Sequence, residues 1–232
     1  MQAVDDRIQK CQLDLSENPL ISFMTDRSVS PGERLSFSLN IAHFVMTFSD
    51  LNKYVLRNVD RTDLVQQIIN NHTEEDANHW QMFLDDLRTL GFDGNTTPTT
   101  LMSALWSDDS QHSRRVSYEL ISLAAGLGSV MTLVMVEAIE GTGAVAFGAF
   151  RQAAHDYEQQ TGHTLRYFGD EHCELETGHA MGTDDVETEL ARVSLTNEQE
   201  RRALKIVDDV FDLFDRMFEE QYQYVQKNHE SV

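Results

Sequence analysis

Apolar residues return every three or four positions along most of this chain, the spacing that lays a single stripe along an α-helix. Leu35, Leu39, Phe44, Phe48, Leu51 and Val55 form one such stripe. Ahead of it, Ser30-Pro31-Gly32-Glu33 supplies a hydroxyl acceptor, a proline for the first turn and a glutamate that can close a capping box. The spacing predicts a helix from Pro31 toward Arg57. A second is predicted from a cap at Asp60 through Leu64, Ile68, His72, His79, Phe83 and Leu87, closing at Leu90-Gly91. Thr97-Pro98 opens a short helix. Ser110 or Gln111 opens a long one that reaches Glu140, loosens or breaks at Gly141-Thr142-Gly143, and resumes to Gln160. Another is expected from Thr164, and a last, capped by Thr196 with Gln199, reaches toward Asn228.

No alternation of period two, solenoid repeat or low-complexity linker competes with this pattern. The expectation is one all-α domain, a bundle of about seven or eight helices over residues 30–232, with residues 1–29 a peripheral arm carrying its own short helix. Between Val116 and Val136 only Glu119 is charged. The apolar run after Glu119 stops at Glu137, short of the ~20 residues a bilayer crossing takes, and Ser122, Gly126, Gly128 and Ser129 dilute it. That segment is expected to be a helix buried in a protein core, not a membrane span.

Charge narrows the partners. Asp plus Glu number 39 against 18 Lys plus Arg, a formal net charge of -21, and no basic run gathers the minority sign. Nucleic acid and anionic membrane surfaces both require a basic face, so neither is expected as a partner. Cys11 and Cys173 are too few for a disulfide framework, and the opening MQAVDDRIQK has no signal-peptide pattern, so a cytoplasmic, reduced protein is expected.

The chemistry lies in a spacing that occurs twice: His72, Asp76 and His79, then His172, Glu176 and His179. At ~100° per residue, positions i, i+4 and i+7 fall within roughly 60° of arc, so on a helix each triplet aims three metal-binding groups one way. Between the triplets, Glu137 and Glu140 stand one turn apart at the end of the most apolar segment. Burying ionised carboxylates there is expensive without a cation. Imidazole and carboxylate together suit iron or manganese, and the lack of thiolates argues against structural zinc. Facing helices in bundles hold dinuclear carboxylate sites by this device. His43, His112, His155, His163 and His229 have no partner at ligand spacing and are expected to be ordinary core or surface residues.

Three segments, HTEEDANHWQMFLDDLRTLG from His72, VEAIEGTG around Glu137, and LRYFGDEHCELETGHA from Leu165, resemble the heme-oxygenase-like di-iron oxidases. These are all-α relatives of the thiaminases, of pyrroloquinoline-quinone synthase and of the chlamydial death-domain-associating protein. The resemblance implies a heme-oxygenase-like helical bundle in which His79, His172, Glu176 and His179 ligate iron. It also implies a carboxylate on the helix before the terminal triplet, Glu140 with Glu137 as the alternative, that bridges the ions and takes part in catalysis. There is one departure: where the family has a Glu ahead of the first histidine, this chain has His72. The carboxylate of that site then falls to Asp76 or Glu75.

The implied activity is that of a non-heme, dioxygen-activating oxidase or oxygenase with two Fe(2+) per chain, manganese being the alternative metal. It would form a peroxo stage and act on a small organic substrate, with an external electron donor and a homodimer both left open. Cys173 as nucleophile of a thiaminase-like hydrolase, a non-catalytic iron- or partner-binding protein, and heme degradation with His43 as proximal ligand are the alternatives. The small residues Gly141, Gly143, Ala144, Ala146 and Gly148 either leave room for substrate or allow close helix packing.

Overall fold

The computed structural model describes residues 1–94, 96–177 and 193–229, with no strand among them. The helices are α1 (Gln2–Ser16), α2 (Pro19–Thr25), α3 (Pro31–Arg34), α4 (Ala42–Leu51), α5 (Leu64–Asp76) and α6 (Trp80–Thr89). They continue with α7 (Pro98–Leu105), α8 (Gln111–Ala124), α9 (Ser129–Thr161), α10 (Asp170–Thr177) and α11 (Asn197–His229). Short 3-10 turns at Ser38–Ile41 and Asp108–Ser110 and a π turn at Asn52–Leu56 complete the set.

The bundle is organised on α9, which packs against α11, α1, α5 and α2. Its first two turns, residues 130–136, are apolar all round apart from Thr132, and Met131 through Val136, Ala138 and Ile139 are buried. By length and composition α9 could cross a membrane; its apolar window lies mostly inside the bundle, as in a core helix. Residues 1–29 are not peripheral. Val4, Leu20 and Met24 are fully buried, Arg7 forms a two-bond ion pair with Asp208 of α11, and the Asn18 amide donates to Asp215.

Several predicted boundaries move. The capping box at Ser30 and Glu33 is present, but its helix ends at Arg34 and the apolar stripe continues through the 3-10 turn, α4 and the π turn. Asp63, not Asp60, caps α5. The helix expected to run from the sixties to Leu90 is interrupted at residues 77–79, and the one expected from Thr164 begins at Asp170.

The long central helix breaks earlier than predicted. Gly126 adopts φ +74, a conformation glycine takes without strain, and separates α8 from α9. At Gly141, by contrast, α9 continues unbroken. A Cβ there would stand 2.9 Å from Ile8 and 3.1 Å from Phe211, so this glycine lets α1 and α11 approach and does not end a helix.

Candidate metal centre

The last turn of α5 carries His72 and Asp76, four residues apart and turned inward, at 1% and 2% exposure. The helix stops at Asp76, and the turn that follows is tightened by the His79 N–H donating to the Asp76 carbonyl and pinned to α4 by Ser49, whose hydroxyl donates to the Ala77 carbonyl at 2.6 Å. His79 therefore leads α6 from a turn, yet remains on the same side as His72 and Asp76. The middle of α9 supplies Glu140. The start of α10 supplies His172, with Asp170 clamped by Arg151 and His155 of α9.

These five side chains form a continuous string. His72 Nε2 lies 3.1 Å from Asp76 Oδ2 and 3.2 Å from Glu140 Oε1. The other Asp76 oxygen lies 3.9 Å from His79 Nδ1, and that nitrogen is 2.9 Å from His172 Nε2. Ligand atoms of His72, Asp76 and Glu140 all fall within 4.8 Å of one another. Two donors bound to one metal at ~2.1 Å each and at right angles stand about 3 Å apart, so the His72 contacts and the His79–His172 contact are edges of the right length. The nitrogen and oxygen donor set fits divalent iron or manganese. Burial by itself would favour a neutral His72, but hydrogen bonds and charge from Asp76 and Glu140 prevail and push its pKa up to about 11. The metal-free centre therefore holds an imidazolium between two carboxylates.

The tautomer of His172 follows from its surroundings. Its Nδ1 is 3.0 Å from the Tyr167 carbonyl, which can only accept, so Nδ1 carries the hydrogen and Nε2 is left with its lone pair toward His79. The Tyr167 ring stacks on the imidazole at 4.5 Å, and Phe147 meets it edge-on at 4.3 Å. The segment that presents this carbonyl is held from behind by Asp86 of α6, buried at 1% exposure. Asp86 Oδ1 accepts from the Arg166 N–H at 2.6 Å, and Oδ2 from those of Tyr167 and Phe168 at 2.8 and 2.9 Å. Burial raises the Asp86 pKa to about 6, against the three N–H donors, which lower it.

Asp76, His79, Glu140 and His172 line one part of a cavity of about 80 Å³, whose remaining wall is mostly apolar and includes seven phenylalanines. By the 10–15 Å³ that one water requires, it has room for roughly five waters or more. Gly143 and Ala146 line it, so the small-residue run of α9 serves both expected purposes: packing at Gly141 and space for a molecule two and five residues on.

Of the residues singled out by spacing, the structure brings together His72, Asp76, His79, Glu140 and His172. Glu75 does not join them: one position from Asp76 on a helix is a 100° turn, and its side chain is exposed. Glu137 is half-buried and does not line the cavity. The Glu176 side chain and His179 lie outside the described residues. Cys173 is half-buried on α10 and is not part of the cavity wall. His43 faces Ser117, Tyr118 and Trp106, also away from the cavity. Sequence reasoning missed Asp86. Its signal was an acid on the apolar face of α6, at helical spacing from Met82 and Phe83.

No family model matches the chain, and no curated protein does. Among solved structures, a domain of unknown function with a heme oxygenase-like fold from Shewanella denitrificans OS217 matches with a TM-score of 0.70. The match covers 98% of this chain and 94% of that one at 15% sequence identity. The chain has a heme oxygenase-like fold; at that identity the likeness extends to the fold alone.

Proposed function

We propose that this protein is a non-heme di-iron oxidase or oxygenase that activates dioxygen against a small organic substrate. The observation that supports the reading is the convergence of two buried histidines, a third from a distant element and two carboxylates beside an apolar cavity. His72, Asp76 and Glu140 would hold one ion. His79 and His172 would hold the other, with Glu176 and His179 completing it by their spacing. Asp76, whose two oxygens face His72 and His79 separately, would serve both. Bound there, two ferrous ions would supply the electrons for dioxygen reduction.

The chain's own groups do the rest. Two carboxylates offset the ion charge, and the proton on His72 leaves when a metal takes its place. The Tyr167 carbonyl keeps the His172 lone pair directed at the site, and the aromatic wall excludes water. Loading the apoprotein with ferrous iron under anaerobic conditions should give about two irons per chain, as dinuclear carboxylate bundles bind. Admitting oxygen should then consume dioxygen. Zero iron uptake, or an iron content unchanged by His172→Ala, would overturn the assignment.

A further inference from the structure

We infer that the substrate is a molecule with a hydrocarbon body and a single polar group, and that this group sits at the His and carboxylate end of the cavity. The position of the polar end rests on the proposed metal centre; the hydrocarbon body rests on the cavity alone.

The wall away from the centre is built from Phe37, Phe44, Phe48, Phe214, Met217 and Phe218 on three separate stretches of chain, and their rings pack against one another edge-on or tilted, as Phe44 and Phe214 do at 5.2 Å. Among the described residues no Lys or Arg reaches it. Residues 178–192, outside that set, hold by sequence one arginine, Arg192, against four acids.

Of the three hydroxyl-bearing residues in the wall, Tyr167 stands at the centre's end, stacked on His172, and the other two are committed. Ser49 donates to the Ala77 carbonyl at 2.6 Å and Thr142 to the Ile139 carbonyl at 2.7 Å. Away from the centre and from the Trp80 indole N–H, a charged or strongly hydrogen-bonding group on the body of a ligand would therefore lose its water without replacement, a loss of several powers of ten in affinity. Each methylene, in contrast, should strengthen binding about fourfold until the cavity is full. A carboxylate could be met only by a cation held at the far end. Amino acids and dicarboxylates, with a second charge to place, are excluded.

The test uses butan-1-ol, hexan-1-ol, hexanoate and hexanedioate, measured by calorimetric titration against the apoprotein and the Mn(II)-loaded protein. Hexan-1-ol should bind the apoprotein about fifteenfold more tightly than butan-1-ol, the fourfold factor applied twice. Hexanoate should bind at least tenfold better after manganese loading, and hexanedioate should bind neither form. Hexanedioate within tenfold of hexan-1-ol, or no gain from butan-1-ol to hexan-1-ol, overturns the inference.

Ala146→Leu, which narrows the wall, should reverse the alcohol preference in favour of butan-1-ol; an unchanged preference in a variant with native circular dichroism counts against it. If manganese fails to load while the chain-length gain persists, the metal reading falls and the hydrocarbon pocket stands. Hexanoate that ignores bound manganese removes the polar end from the inference.

Discussion

Asp86 offers the sharpest test of how the centre is held, because its two oxygens have unequal work. Oδ2 takes the N–H groups of Tyr167 and Phe168, both in buried bonds, whereas Oδ1 takes that of Arg166, which is partly exposed. Asp86→Ala strands two buried donors outright, at about 1–3 kcal/mol each, for a loss of roughly 2–6 kcal/mol. In a chain of this size that lowers Tm by roughly 2–4 °C per kcal/mol. Asp86→Asn keeps a carbonyl oxygen in the Oδ2 position and gives up only the Arg166 bond, so near pH 4, where the Asp86 carboxyl is neutral, it should remain within about 1 kcal/mol of wild type.

The site should follow the same order. The Tyr167 carbonyl that fixes the His172 tautomer depends on this segment, and loss of such outer support typically weakens metal binding 10–100-fold. Urea unfolding gives the stabilities, and Mn(II) titration followed by magnetic resonance gives the affinities. The 15N shifts of His172 report whether Nδ1 still carries the hydrogen. An Asp86→Ala protein within 1 kcal/mol of wild type, or an Asn variant as damaged as the Ala variant, would refute the reasoning.

The raised Asp86 pKa also predicts a pH dependence. A carboxyl with a higher pKa folded than unfolded contributes stability that is fully present below about 3.8 and lost as pH rises through about 6. At ~1.4 kcal/mol per unit the loss is bounded near 3 kcal/mol, and it should be the difference between the wild-type and Asp86→Asn curves of unfolding free energy against pH. On α9, Gly141→Val should destabilise by about 1–3 kcal/mol, since its Cβ would press on Ile8 and Phe211. Gly148→Ala, with nothing within 4 Å of the new methyl, should stabilise by about 0.5–1 kcal/mol; thermal melts of the pair distinguish packing from propensity. Alkylation of Cys173 should leave iron uptake and oxygen consumption unchanged, and loss of either would revive the thiol as a nucleophile.

What the chain determines alone is local. The helical class, the capping boxes at Ser30 and Thr196, the cap at Thr97 and the inward direction of His72 with Asp76 all follow from residues within one or two turns of each other. Spacing also singled out the five residues that meet at the centre; for His72 and Asp76 this holds because i and i+4 on a helix share a face wherever that helix later packs. Breaks were legible less well. Gly126 and Gly141 look alike in sequence, and only the neighbours of each reveal that one turns the chain and the other admits Ile8 and Phe211.

The meeting itself belongs to the tertiary structure. His72 reaches Glu140 across 68 positions and His79 reaches His172 across 93, and Asp86 grips a segment 80 residues away. No periodicity encodes which of two carboxylates one turn apart will face a given histidine. Packing of α5 and α10 on α9 brought Glu140 to His72 and the cavity and left Glu137 off its wall, because a helix buried in a bundle can present only one side to a given neighbour.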